Sequence, residues 1–119
     1  MLKERIRKHC GNGDNCSQVI LRAVAEEYGI SLSEELLAAC RGIHGGFGIN
    51  GMCSGIVAGV MALGLLCDEE ELKLKRILFL LQVQNRFGGL DCCRLSALGA
   101  DCSGVLEEIA EILQEVLEA

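Results

Sequence analysis

Gly42-Ile43-His44-Gly45-Gly46-Phe47-Gly48-Ile49-Asn50-Gly51 leads straight into Met52-Cys53-Ser54-Gly55-Ile56-Val57-Ala58-Gly59-Val60-Met61-Ala62-Leu63-Gly64-Leu65-Leu66-Cys67. The first stretch holds five glycines in ten residues, the composition of a loop that bends tightly or lets another backbone approach. The second holds sixteen residues and no charge, which predicts a helix from about Met52 to Leu66 with no polar face. Such a helix belongs either to a core or to a membrane. Sixteen residues fall short of the roughly 20 that span a bilayer, and Asp68-Glu69-Glu70-Glu71 follows at once. The spacing of Gly55 and Gly59, although it resembles a membrane dimer motif, is therefore read as part of a buried central helix. Gly51, Gly55 and Gly59 lie four apart on one face, a groove that a neighbouring helix or a bound group can enter.

Working outward, the same punctuation predicts further helices. Met1–His9 reads as a short amphipathic helix closed by Gly11-Asn12-Gly13. A second fits Cys16–Tyr28, capped by Asp14 or Asn15 and ended by Gly29. A third begins at Ser31, with Glu34 three residues on as a capping box, and runs towards Ile43. Asp68 with Glu71 caps a fifth that reaches Phe87 before Gly88-Gly89. A short irregular or helical piece carries Cys92 to Gly99. The last helix runs from about Ser103 to Leu117, with Val105, Leu106, Ile109, Ile112, Leu113, Val116 and Leu117 at helical spacing. No run reads as a strand. The expectation is an all-α, single-domain bundle of five to six helices over residues 1–119, with a Gly-rich loop before its buried central helix.

Composition narrows the function. The chain has 119 residues with 11 Lys+Arg against 17 Asp+Glu, a net charge of −6. That balance argues against nucleic acid, which needs a basic patch. Pro and Trp are absent and aromatics are 3%, so the core rests on Leu, Ile, Val, Ala and Cys. Gly46-Phe47-Gly48-Ile49-Asn50-Gly51 matches G-x-G-x-x-G, but the dinucleotide fingerprint needs a strand before it. Neither C-x-x-C nor C-x-x-C-H occurs, which disfavours thioredoxin-like sites, zinc knuckles and covalent haem. Met1-Leu2-Lys3-Glu4-Arg5 offers no apolar stretch to a secretory system, so a cytoplasmic, not membrane-spanning protein is expected.

Eight cysteines in a reducing compartment point to metal, cluster or redox chemistry. Cys16 opens the second helix and Cys53 the fourth; Cys92 and Cys93 stand in the turn after the fifth, and Cys102 precedes the last. Helix N-termini favour negative charge, so a thiolate there is a better ligand and nucleophile. Cys10, Cys40 and Cys67 sit at helix ends or on apolar faces and read as packing residues. His44, between glycines, is a weaker candidate ligand, alongside Cys92. His9 ends a charged helix and reads as surface. Glu107, Glu108, Glu111 and Glu115 read as a solvated face, with no carboxylate pair suited to acid–base work.

These residues together resemble the redox-active C_GCAxxG_C_C family. Asn15-Cys16-Ser17-Gln18 is similar to that family's N-C-[AS]-Q helix start. Gly51 to Leu65 looks like its central segment, with small residues exchanged across Cys53-Ser54-Gly55-Ile56-Val57-Ala58. Asn85-Arg86-Phe87-Gly88, then Cys93-Arg94-Leu95 and Leu98-Gly99, resemble its later stretch, and Cys102 its fourth cysteine. Cys93 fits the third position better than Cys92 because Arg94 follows it. The resemblance covers nearly the whole chain and implies a small helical redox protein. A similar four-cysteine domain occurs in split-Soret cytochromes, where it is associated with an iron–sulfur centre.

The leading expectation is a [2Fe–2S] cluster held by Cys16, Cys53, Cys93 and Cys102, with Gly51, Gly55 and Gly59 giving it room and backbone donors. Its work would be electron transfer or redox sensing with a partner protein, and a homodimer is compatible with this. The first alternative is thiol–disulfide chemistry with Cys53 as the attacking thiolate. The second is structural zinc on the same cysteines. The third is no cofactor at all, the cysteines merely filling core space.

Overall fold

The computed structural model describes residues 1–91 and 102–119, with only the backbone at Cys102 and Ser103. Six α-helices are found among the described residues: α1 (Leu2–His9), α2 (Cys16–Tyr28), α3 (Glu34–Ala39), α4 (Ser54–Leu66), α5 (Glu69–Phe87) and α6 (Cys102–Leu117). The protein is all-helical, and the one β-type pairing among the described residues is an isolated antiparallel bridge between Met52 and Asp91. The expected piece from Cys92 to Gly99 lies outside the described residues.

Local chemistry sets most of the boundaries. Asn15 caps α2 with a full capping box: its side chain accepts from Gln18 N–H while Gln18 Oε1 accepts from Asn15 N–H at 2.9 Å. Gly29, at φ 67°, ends the helix in the left-handed conformation glycine tolerates. Asp68 caps α5 by accepting from Glu71 N–H at 2.8 Å.

The third helix departs from expectation. Its cap is Ser33, whose Oγ accepts from Leu36 N–H at 3.0 Å, and not Ser31. The chain leaves α2 through a turn closed by Ile30 N–H on Ala25 C=O at 3.1 Å, and Ile30 and Leu32 then pack against the core. Helical geometry resumes only after that. The helix also ends early, at Ala39, tightening into a 3₁₀ turn over Cys40–Ile43.

Met52 and Cys53 are not helical either, contrary to the expected start at Met52. Met52 is held in the bridge to Asp91, so α4 begins at Ser54 with Cys53 as its cap residue. The glycine stretch before it is a tight turn in which Gly51 N–H donates to Gly46 C=O at 2.8 Å. A Cβ on Gly46 would overlap the Gly51 backbone, which explains glycine there.

α4 is the central helix. It packs against α2, α5 and α6, while α1 lies across α2 and α6. Ile56, Ala58, Ala62 and Leu63 are fully buried. No described helix is long and apolar enough to cross a membrane. The space over Gly55 and Gly59 of α4 is taken by neighbouring helices: a Cβ on Gly59 would lie 2.5 Å from Phe79 Cζ, and one on Gly55 2.7 Å from Leu106 Cδ2.

Candidate functional site

Cys53 is the most informative of the cysteines. It caps α4 at the mouth of the glycine turn and is only 7% exposed. Its backbone N–H donates to Leu90 C=O at 2.8 Å. With the bridge from Met52 to Asp91, this fastens the stretch after α5 along the approach to α4. Its sulfur lies near the α4–α6 seam, since a Cβ on Gly55 would stand 3.7 Å from both Cys53 Sγ and Ile109 Cδ1. Gly55 belongs to the first turn of α4, and Leu106 and Ile109 lie in the second turn of α6, so the start of α4 packs against that turn beside Cys53. Cys102 is the first residue of α6.

Cys16 is the first residue of α2 and is half-buried. That helix start is tied to the end of α3 and the turn after it. Gln18 Nε2 donates to Leu37 C=O at 2.8 Å, and both Asn15 Nδ2 and Ser17 Oγ reach Cys40 C=O at 3.4 Å. Three of the four candidate cysteines therefore stand at helix starts. Cys93, like Cys92, lies outside the described residues, as does the side chain of Cys102. Among the described residues no group of three or more His, Cys, Asp or Glu is placed to hold a metal ion.

The remaining cysteines sit as packing residues do. Cys40 is buried, and its thiol donates to Leu36 C=O at 3.5 Å. Cys10 and Cys67 pack against the core at the ends of α1 and α4. Burial raises the Cys67 thiol above its usual pKa, opposed by Lys75 and assisted by Glu71 and Asp68. A thiol so placed is a poor thiolate.

His44 is exposed on the loop. His9 corrects the sequence reading: its side chain is only 13% exposed and pairs with Glu26 at 2.9 Å. Glu107 and Glu111 are likewise not simply solvated, because Arg7 and Lys3 of α1 pair with them. These links join residues about a hundred positions apart, and no local pattern announces them.

What these elements define is an all-helical domain whose buried central helix is capped by a cysteine at the mouth of a glycine turn. The chain belongs to the C_GCAxxG_C_C family, whose model, described as putative redox-active protein, matches residues 14–116. No curated protein and no solved structure matches it. The family pattern sets glycine before its second cysteine and alanine after it; read on Cys53, those places hold Met52 and Ser54.

Proposed function

We propose that this protein exchanges electrons, or senses redox state, through an iron–sulfur centre held by Cys16, Cys53, Cys93 and Cys102. The observation that carries the reading is the placement of Cys53. It is nearly buried, where the first turn of α4 packs against Leu106 and Ile109 of α6, with the segment that leads towards Cys92 and Cys93 fastened to its own backbone. The donor set fits such a group chemically, because four thiolates suit a [2Fe–2S] centre. When bound, that centre supplies reversible one-electron exchange.

The chain's own residues do the rest. Cys16, Cys53 and Cys102 stand at helix starts, where the positive end of each dipole suits a negatively charged group. Buried Leu106 and Ile109 line the α4–α6 seam near Cys53. The glycine turn holds the cap residue in register through the bond from Gly51 to Gly46.

Anaerobic purification followed by a visible spectrum and iron, sulfide and zinc analysis tests this. Iron with matching sulfide and absorbance between roughly 400 and 600 nm is expected. Cys53→Ser loses that absorbance, whereas Cys40→Ser keeps it because Cys40 serves packing. Retained colour in Cys53→Ser overturns the assignment. Zinc alone would make the site structural, and neither metal would shift the chemistry to a Cys53 thiolate.

A further inference from the structure

The longest helix, α5, is apolar on two faces. Phe79, Val83 and Phe87 face the core. On the outside, Leu74, Ile77, Leu78 and Leu81 are 60%, 54%, 36% and 52% exposed. Their i, i+3, i+4, i+7 spacing makes one continuous stripe, where single scattered residues would need no explanation. Charge along this face is unevenly distributed. Exposed Glu69, Glu70, Glu71 and Lys73 lie at its N-terminal end, while exposed Gln82, Gln84, Asn85 and Arg86 lie at the other.

We propose that this stripe is the contact with a second copy of the chain, the two α5 helices packing antiparallel about a two-fold axis between Ile77 and Leu78. A two-fold contact must be self-complementary, and the stripe meets that condition in one direction only. Antiparallel packing sets Leu74 of one copy on Leu81 of the other, and Ile77 on Leu78. It also lays the largely acidic end of each helix against the amide-rich end of its partner, which carries Arg86, and opposes the two helix dipoles. Parallel packing would bring Glu70 onto Glu70 and Lys73 onto Lys73. Glu70 and Glu71 outnumber Lys73 at the N-terminal border of the stripe, which does not suit an anionic lipid surface. One helix pair is a small interface beside the ~800 Å² per partner of a standard one, so a concentration-dependent dimer is expected. This inference is independent of what the cysteines hold.

Sedimentation equilibrium of the whole chain, with thiols kept reduced so that no disulfide can mimic association, reads the result directly. The expected mass is twice the chain's 12.8 kDa. Ile77→Lys, which sets two ammonium groups at the axis, weakens association at least about a hundredfold. Leu74→Lys and Leu81→Glu each do the same. The double variant regains the dimer, because the ammonium introduced on one copy then faces the carboxylate introduced on the other. Helical circular dichroism stays unchanged, since all three substituted positions are exposed; should Ile77→Lys lower it, Leu81→Gln takes its place. A monomer at every concentration overturns the proposal, as does a dimer indifferent to Ile77→Lys or a double variant no tighter than its singles. A monomer would leave the stripe to a different protein.

Discussion

Glycine has opposite consequences at two positions of α4. At Gly59 a Cβ would lie 2.5 and 2.7 Å from the Phe79 ring, and that ring is fully buried and cannot swing aside. At Gly64 nothing stands within 4 Å, and the residue is exposed in a helical conformation. Both substitutions to alanine gain about 1 kcal/mol of helix propensity. Overpacking against a ring costs about 1–3 kcal/mol or more, because α4 and α5 must separate. Gly59→Ala is therefore expected to destabilise the protein in urea by a net of up to about 2 kcal/mol, and Gly64→Ala to stabilise it by up to about 1 kcal/mol. Gly55 falls between them, since the atom it would meet is the tip of Leu106, which can rotate away. Equal effects at 59 and 64 would mean that the glycines serve backbone freedom alone.

The elements themselves depend on their caps, and the cap of α2 carries the most. Asn15 accepts from Gln18 N–H at 3.1 Å and from Ser17 Oγ at 2.6 Å, and its amide reaches Cys40 C=O. Asn15→Ala removes these bonds and should cost about 1–2 kcal/mol in urea denaturation, more than Ser33→Ala, whose cap serves the six-residue, largely unburied α3. Because caps and glycine stops are local, five of the helices are legible from sequence to within a residue or two: Asp68 and Gly88 bracket α5 as the residues say. The exception, α3, departs for a tertiary reason. Ser31 and Glu34 satisfy a capping pattern, but burying Ile30 and Leu32 takes precedence and moves the start to Ser33. The outer stripe of α5 is also hard to read in advance, since helical periodicity reports an apolar face without saying that a helix has two.

At the scale of the whole molecule, what sequence does not convey is which ends meet. The approach of residues 90 and 91 to Met52 and Cys53 runs through backbone hydrogen bonds, which leave no side-chain pattern. The fastening of α1 is similar. Arg5 pairs with Glu27 at 2.8 Å, Lys8 and His9 with Glu26 at 2.9 Å, Arg7 with Glu107 at 2.8 Å and Lys3 with Glu111 at 3.5 Å. One short basic helix thus joins α2 to α6. Hydrogen bonds from Lys8 and then His9 hold the Glu26 carboxyl down at about 2 against an ordinary 4.5. Arg5 lowers Glu27 in the same way. A carboxylate whose folded pKa is depressed binds fewer protons folded than unfolded, so its contribution is complete above 4.5 and is lost as pH falls towards 2. The urea midpoint should accordingly be level from neutral pH down to about 5 and then fall through that window. Glu26→Gln should be less stable at neutral pH but fall less steeply in acid, and added salt should narrow the gap between the two proteins because these pairs are partly exposed. If Glu26→Gln falls as steeply as the parent, the acid sensitivity arises elsewhere than in the α1 clamp.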